Sequence, residues 1–174
     1  MEFEFSYIDN TDVVIIKRKV FLDYRGNLTK EYEISPFRKH FPVDFKEEYV
    51  SFSKKDVLRG LHFQKNPLAQ GKYISVISGS IFDVAVDLRE DSEQYMRYVS
   101  SVLRSEEGES IWIPEGYAHG FLSLEDNTVV LNRCTNEFNS SIEGGIRWDD
   151  PKIAIKWPLD FPILSPKDMG WPYL

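Results

Sequence analysis

Lys72-Tyr73-Ile74-Ser75-Val76-Ile77-Ser78 is followed by Gly79-Ser80 and then by Ile81-Phe82-Asp83-Val84-Ala85-Val86-Asp87-Leu88. Both runs are dense in β-branched and aromatic residues and repeat with period two, the period of a strand rather than of a helix. Gly-Ser between them reads as a hairpin turn. The same pattern extends in both directions. Upstream lie Val13–Lys17, then a strand from Val20, a turn at Asp23-Tyr24-Arg25-Gly26 and a returning strand through Leu28. Downstream, Tyr98–Leu103, Glu109–Ile113, Phe121–Leu124, Val129–Cys134 and Ile153–Ile155 continue the series. Short strands at intervals of roughly ten residues, with turn residues between them, indicate an all-β barrel or sandwich. Ser35–Phe41 fits a short helix or an irregular loop closed by Pro42, with His40 at the surface. With no linker, repeat or low-complexity tract in between, residues 1–174 read as one domain.

Composition narrows the function. An aromatic share of 14% argues for a packed core. A net charge of −7 makes a nucleic-acid or anionic-membrane surface an unpromising reading. Local Arg and Lys can still make a pocket for an anionic small molecule. The one cysteine, Cys134, cannot build an intrachain disulfide framework, which suits the cytoplasm. Met1-Glu2-Phe3-Glu4-Phe5 shows no leader pattern, and no apolar run approaches the roughly 18 residues of a membrane helix.

The stretch with chemistry in it is Val57-Leu58-Arg59-Gly60-Leu61-His62-Phe63-Gln64. Strict alternation would place Arg59 and His62 on opposite faces, so a bulge or kink at Gly60 is expected if both serve one cavity. A lone histidine in an apolar run is more often a satisfied core residue than a base. A second histidine stretch, Ile113-Pro114-Glu115-Gly116-Tyr117-Ala118-His119-Gly120-Phe121, adds weight to a site. The tail Ile163-Leu164-Ser165-Pro166-Lys167-Asp168 reads either as a surface tail or as an arm folded onto the barrel.

Pro114-Glu115-Gly116-Tyr117-Ala118-His119 has the shape of the second motif of cupins, small jelly-roll barrels (double-stranded β-helices). Metal-binding cupins also need an H-x-H with a downstream Glu in the first motif. Here that region holds only His62, and the chain has three histidines, so no metal and no other cofactor is expected. Five collinear motifs narrow the resemblance: Arg59–Gln64, Gln70-Gly71-Lys72, Phe82–Arg89, Trp112–Phe121 and Gly145–Pro151. Together they resemble the dTDP-4-dehydrorhamnose 3,5-epimerases, from about Phe21 to Asp168.

The resemblance implies an all-β cupin barrel with short helices and a C-terminal arm folded onto it. It implies an epimerase of a nucleotide-linked 4-keto-6-deoxy sugar, dTDP-linked by family default. His62 would be the base and Asp168 the carboxylate that orients it. Lys72, with Arg59 and His119, would face the developing oxyanion. Arg25 would grip the diphosphate, Glu143 would lie near the nucleotide, and Asp83 would be a buried support. Homodimers are the family's form, and the alternating Phe3, Phe5 and Tyr7 suit either an exchanged edge strand or an edge within one chain.

The chain departs from the family at several positions. Where the family carries a second catalytic residue, a tyrosine that protonates the face opposite the histidine, Asn132 stands. Phe138 stands where a second tyrosine is frequent, and Glu47 and Tyr49 align with a Gln and an Asn on the nucleotide side. Asn132 leaves two alternatives to an epimerase: a keto-sugar isomerase on the same scaffold, or a sugar-nucleotide-binding protein without catalysis.

Overall fold

The computed structural model describes residues 3–41 and 43–174. The closure of Ser35–Phe41 by Pro42 and the first two residues of the leader reading therefore lie outside the described residues. Among the described residues the strands are β1 (Phe3–Tyr7), β2 (Val14–Arg18), β3 (Val20–Asp23), β4 (Gly26–Thr29), β5 (Glu47–Ser53), β6 (Leu58–Gln64) and β7 (Lys72–Ser78). They continue with β8 (Ser80–Asp87), β9 (Tyr98–Arg104), β10 (Glu109–Ile113), β11 (Tyr117–Ser123), β12 (Thr128–Cys134) and β13 (Glu143–Gly145). Two one-turn helices complete the set, α1 (Ile34–Phe37) and α2 (Pro166–Met169).

These strands form two large antiparallel sheets. One runs β1-β2-β10-β7-β12-β5 and the other β13-β6-β11-β8-β9, while β3 and β4 pair only with each other. Chain neighbours repeatedly fall in different sheets, as in a jelly roll. The Gly79-Ser80 expectation needs correction on this point, because β7 and β8 form no hairpin. Ser78 pairs with Val129 in one sheet and Ser80 with Arg104 in the other, so Gly79 turns a corner between sheets. Its φ of +78° and the Thr128 hydroxyl 2.6 Å from where a Cβ would stand explain the glycine. Two further readings shift. Ile153–Ile155 is turn and loop, and β11 begins at Tyr117 rather than Phe121. The N-terminal strand β1 pairs with β2 of its own chain.

Alternation divides the side chains into three apolar clusters. Between the sheets pack Val13, Ile74, Val76, Ile81, Ala85, Ile111, Phe121 and Val130. Outside the six-stranded sheet, Tyr73 and Trp112 meet Phe37 and Phe41, and His40 stacks on Phe5 at 3.9 Å, half-buried rather than standing in solvent. Outside the five-stranded sheet, Leu61, Val84, Val86 and Ala118 are covered by Ile146 and Ile153 of the C-terminal segment. The C-terminal segment thus docks for an apolar reason. Its backbone is also tied, with Arg147 N donating to Pro172 O at 3.0 Å and Leu58 N to Ile163 O at 2.9 Å.

Candidate active site

Residues at one end of the space between the sheets are polar. Register dictates this. On β7, Lys72 shares the inward face with Ile74 and Val76, since Tyr73 packs outward. Across the ladder, Lys72 pairs with Cys134, and Asn132 pairs with Tyr49, so Glu47, Tyr49, Asn132 and Lys72 face the interior together. On the facing sheet, His119 lies between Tyr117 and Phe121 on the inward face of β11 and pairs with His62.

Gly60 brings Arg59 to the same side. His119 stands opposite His62 and Phe121 opposite Arg59, so β6 spends three steps where β11 spends two. The extra residue is a bulge at Gly60-Leu61. Gly60 has φ +132°, and a Cβ there would sit 2.5 Å from Gly120 Cα and 2.9 Å from His119 O. Only glycine fits, and Arg59 and His62 both line one cavity as expected. Arg59 is held across the seam between the sheets, donating to Ser53 Oγ and Phe52 O, each at 3.1 Å.

That cavity, about 580 Å³, is lined by Tyr49, Ser51, Arg59, His62, Lys72, His119, Phe121, Asn132, Ser165, Lys167 and Asp168, with Val50 and Phe52. A second, of about 220 Å³, shares Tyr49, His62 and Lys72 with it and adds Glu47, Gln64, Gln70, Phe138 and Glu143. Arg25 is apart from both. It lies on the β3–β4 hairpin, with its side chain 75% exposed and paired to Asp23.

His62 and Asp168 meet although 106 residues separate them. His62 Nε2 donates to Asp168 Oδ1 at 2.5 Å, which leaves Nδ1 to carry the lone pair. Asp168 is positioned by α2, whose N-cap Ser165 accepts from Asp168 N at 3.1 Å and donates to Asp168 Oδ2 at 2.9 Å. Burial pushes the Asp168 carboxyl up, but the His62 bond and charge and the Ser165 hydroxyl outweigh it and hold the group below its ordinary value.

His119 Nε2 donates to Asp83 Oδ2 at 2.7 Å, and Asp83 is fully buried, in keeping with a support role. Lys72 is 6% exposed and donates to His62 O at 3.3 Å. Burial lowers its pKa, against the pull of Cys134, Asp83, Glu143 and Glu47. Lys72 remains an N–H donor in either protonation state. Lys167, for which sequence reading assigned no role, bonds Glu143 at 2.6 and 2.7 Å and lies 5.8 Å from the Phe138 ring centroid. Its only local signal is its place beside Asp168.

The arrangement sets an imidazole hydrogen-bonded to a carboxylate in a cavity with cationic and N–H donors. It can remove a carbon-bound proton and stabilise the oxyanion that results.

A family described as dTDP-4-dehydrorhamnose 3,5-epimerase matches the chain over residues 8–174. The dTDP-4-dehydrorhamnose 3,5-epimerase of Salmonella typhimurium is 43% identical over 166 residues, covering 94% of this chain and 91% of that protein. The protein of the same description from Methanothermobacter thermautotrophicus is 41% identical over 174 residues, covering 98% and 94%. Among solved structures, the dTDP-6-deoxy-D-glucose-3,5-epimerase of Legionella pneumophila, in complex with dTDP-4-keto-L-rhamnose, matches with a TM-score of 0.93. It is 34% identical and the match covers 98% of this chain and 92% of that one.

Proposed function

Because the chain belongs to the dTDP-4-dehydrorhamnose 3,5-epimerase family, we propose that its cavity takes a dTDP-linked 4-keto-6-deoxyhexose and inverts C3, C5 or both. The observation that carries the reading is the His62–Asp168 pair at 2.5 Å in a cavity shared with Lys72, Arg59 and His119.

A 4-keto group acidifies the hydrogens at C3 and C5. His62 Nδ1 takes one of them, and the electron pair of the broken C–H bond moves into an enolate with its charge on O4. Asp168 stabilises the imidazolium that forms. Lys72 and Arg59 donate to O4, and such donors typically contribute about 3 kcal/mol each. Glu47, Phe138 and Glu143 line the smaller cavity, which we assign to the nucleotide side.

We infer that two copies of the chain work together. The β3–β4 hairpin belongs to neither large sheet and exposes Leu22 (79%), Tyr24 (97%) and Leu28 (66%) beside Arg25. A second copy covering these residues gives Arg25 a diphosphate to meet. The single buried cysteine suits work in the cytoplasm.

The testing experiment is solvent exchange. The protein is incubated in D₂O with dTDP-4-keto-6-deoxyglucose made in situ by a 4,6-dehydratase, and H3 and H5 are followed by NMR. Exchange that vanishes in His62→Ala is expected. Ligand binding without exchange in the wild type would instead favour the non-catalytic reading, and a ketone moved to another carbon would favour the isomerase.

A further inference from the structure

We propose that Tyr49 is the acid that protonates the sugar carbon on the face opposite His62, a role the structure places on β5. This rests on the epimerase reading of the site. Inversion requires a second proton carrier, because a proton returned by His62 alone re-enters from the face it left.

The cavity holds few groups able to give one. His62 projects from the five-stranded sheet, so the donor has to come from another wall. Asn132 faces the cavity from the six-stranded sheet, but an amide has no proton to give at neutral pH. Ser51 and Ser165 are alcohols, far weaker acids than a phenol, and Ser165 is already committed to Asp168. The Lys72 ammonium points at the base's own strand, donating to His62 O at 3.3 Å.

Tyr49 satisfies the requirement. It lines both cavities from the six-stranded sheet, and it is directly opposite Asn132 in the β5–β12 ladder, on the same face. The two positions project into nearly the same volume, because opposed residues lie about 5 Å apart. The phenol has no hydrogen-bond partner among the described residues, so it is not spent on structure. A phenol, with an ordinary pKa of about 10, holds its proton at neutral pH. Tyr49 is also 45% exposed, which lets the phenolate recover a proton from water after each turnover.

The step balances. The C–H electron pair enters the enolate as His62 gains a proton. The phenol O–H breaks as a new C–H bond forms on the far face and the ketone is restored. The imidazolium then loses a proton to solvent and the phenolate gains one.

Tyr49→Phe tests this with two readouts in D₂O, deuterium entry at C3 and C5 and the amount of inverted sugar, with dTDP binding as the control for folding. The expected result is exchange within about threefold of wild type with inversion reduced by about 100-fold or more. Moving the hydroxyl one rung across, in Tyr49→Phe/Asn132→Tyr, is expected to recover inversion. Inversion at the wild-type rate in Tyr49→Phe overturns the assignment. So does loss of exchange together with inversion while dTDP still binds, since Tyr49 would then position the substrate rather than protonate it. Absence of exchange in the wild type is a different failure: it overturns the epimerase reading itself, and the assignment to Tyr49 falls with it.

Discussion

In the proposed reaction Asp168 works through His62, and its environment sets the sign of its effect. Burial alone would favour the neutral acid, but the 2.5 Å bond from His62 and the Ser165 hydroxyl favour the anion and win. A carboxyl held below its ordinary value of about 3.9 is ionised throughout the neutral range. Asp168→Asn keeps the size and removes the charge. It is expected to lower the rate of solvent exchange by about 10² to 10⁴-fold with dTDP binding unchanged, measured by NMR and calorimetry. An unchanged rate would mean that the pair is a structural contact. His62 as a candidate was legible from its setting between Arg59 and Gln64. Asp168 was legible only through the resemblance, because a carboxylate in a tail carries no local sign of its distant partner. Tyr49 was read as a nucleotide contact, and its position opposite Asn132 depends on a strand register that alternation cannot supply.

Gly60 is the smallest element-scale device that the site depends on. Its φ of +132° and the 2.5 Å gap to Gly120 Cα leave no room for a Cβ, and the bulge it permits aims both Arg59 and His62 inward. Gly60→Ala should cost at least about 2 kcal/mol, seen as a lowered melting temperature. Its activity loss should exceed what the unfolded fraction explains, because either β6 loses its bulge or β11 moves. A variant with wild-type melting and exchange would show that the strand tolerates the side chain. Alternation around Gly60 made this bulge readable from sequence, since it alone reconciles two polar residues three apart. The corner at Gly79 was not readable. A period-two run followed by Gly-Ser looks the same whether the next strand pairs with it or crosses to the other sheet. The same limit applies to Ile153–Ile155, where Ile153 is buried and Ile155 half-buried in a loop against Val84 and Val86 rather than in a ladder.

For the whole molecule, acid stability is expected to follow buried carboxylates. Asp87 is 1% exposed and accepts from Arg89 Nε and Nη2 at 2.9 and 2.7 Å and from Ser92 Oγ at 2.7 Å, while Arg89 reaches Asp12 at 2.7 Å. Burial pushes Asp87 up, but the Arg89 and Ser92 bonds prevail and its carboxyl lies below the ordinary value. A depressed folded-state pKa stabilises fully above the unfolded value and is lost as pH falls through the folded one. Asp87→Asn should therefore cost about 2 kcal/mol near neutrality, and the gap to wild type should narrow as pH falls below the ordinary carboxylate value of about 3.9, read from urea melts across pH. A gap independent of pH would show that the loss is one of shape alone. The proposed pairing of two copies gives a second prediction at this scale. Leu22→Asp/Leu28→Asp on the hairpin is expected to turn a dimer into a monomer by sedimentation, with the fold intact, because neither side chain belongs to a core cluster. A wild-type monomer would remove the proposed second copy. By itself, the sequence determined that this chain is all β and where most of its strands lie, and that Gly60 breaks the alternation between Arg59 and His62. These follow from side-chain period and backbone sterics, which act within a few residues. Only the tertiary structure decided which strands lie side by side, that Gly79 changes sheets, that Asp168 closes on His62, and that Tyr49 stands beside Asn132. Those depend on pairings between residues far apart in the chain, and period two is satisfied equally well by many of them.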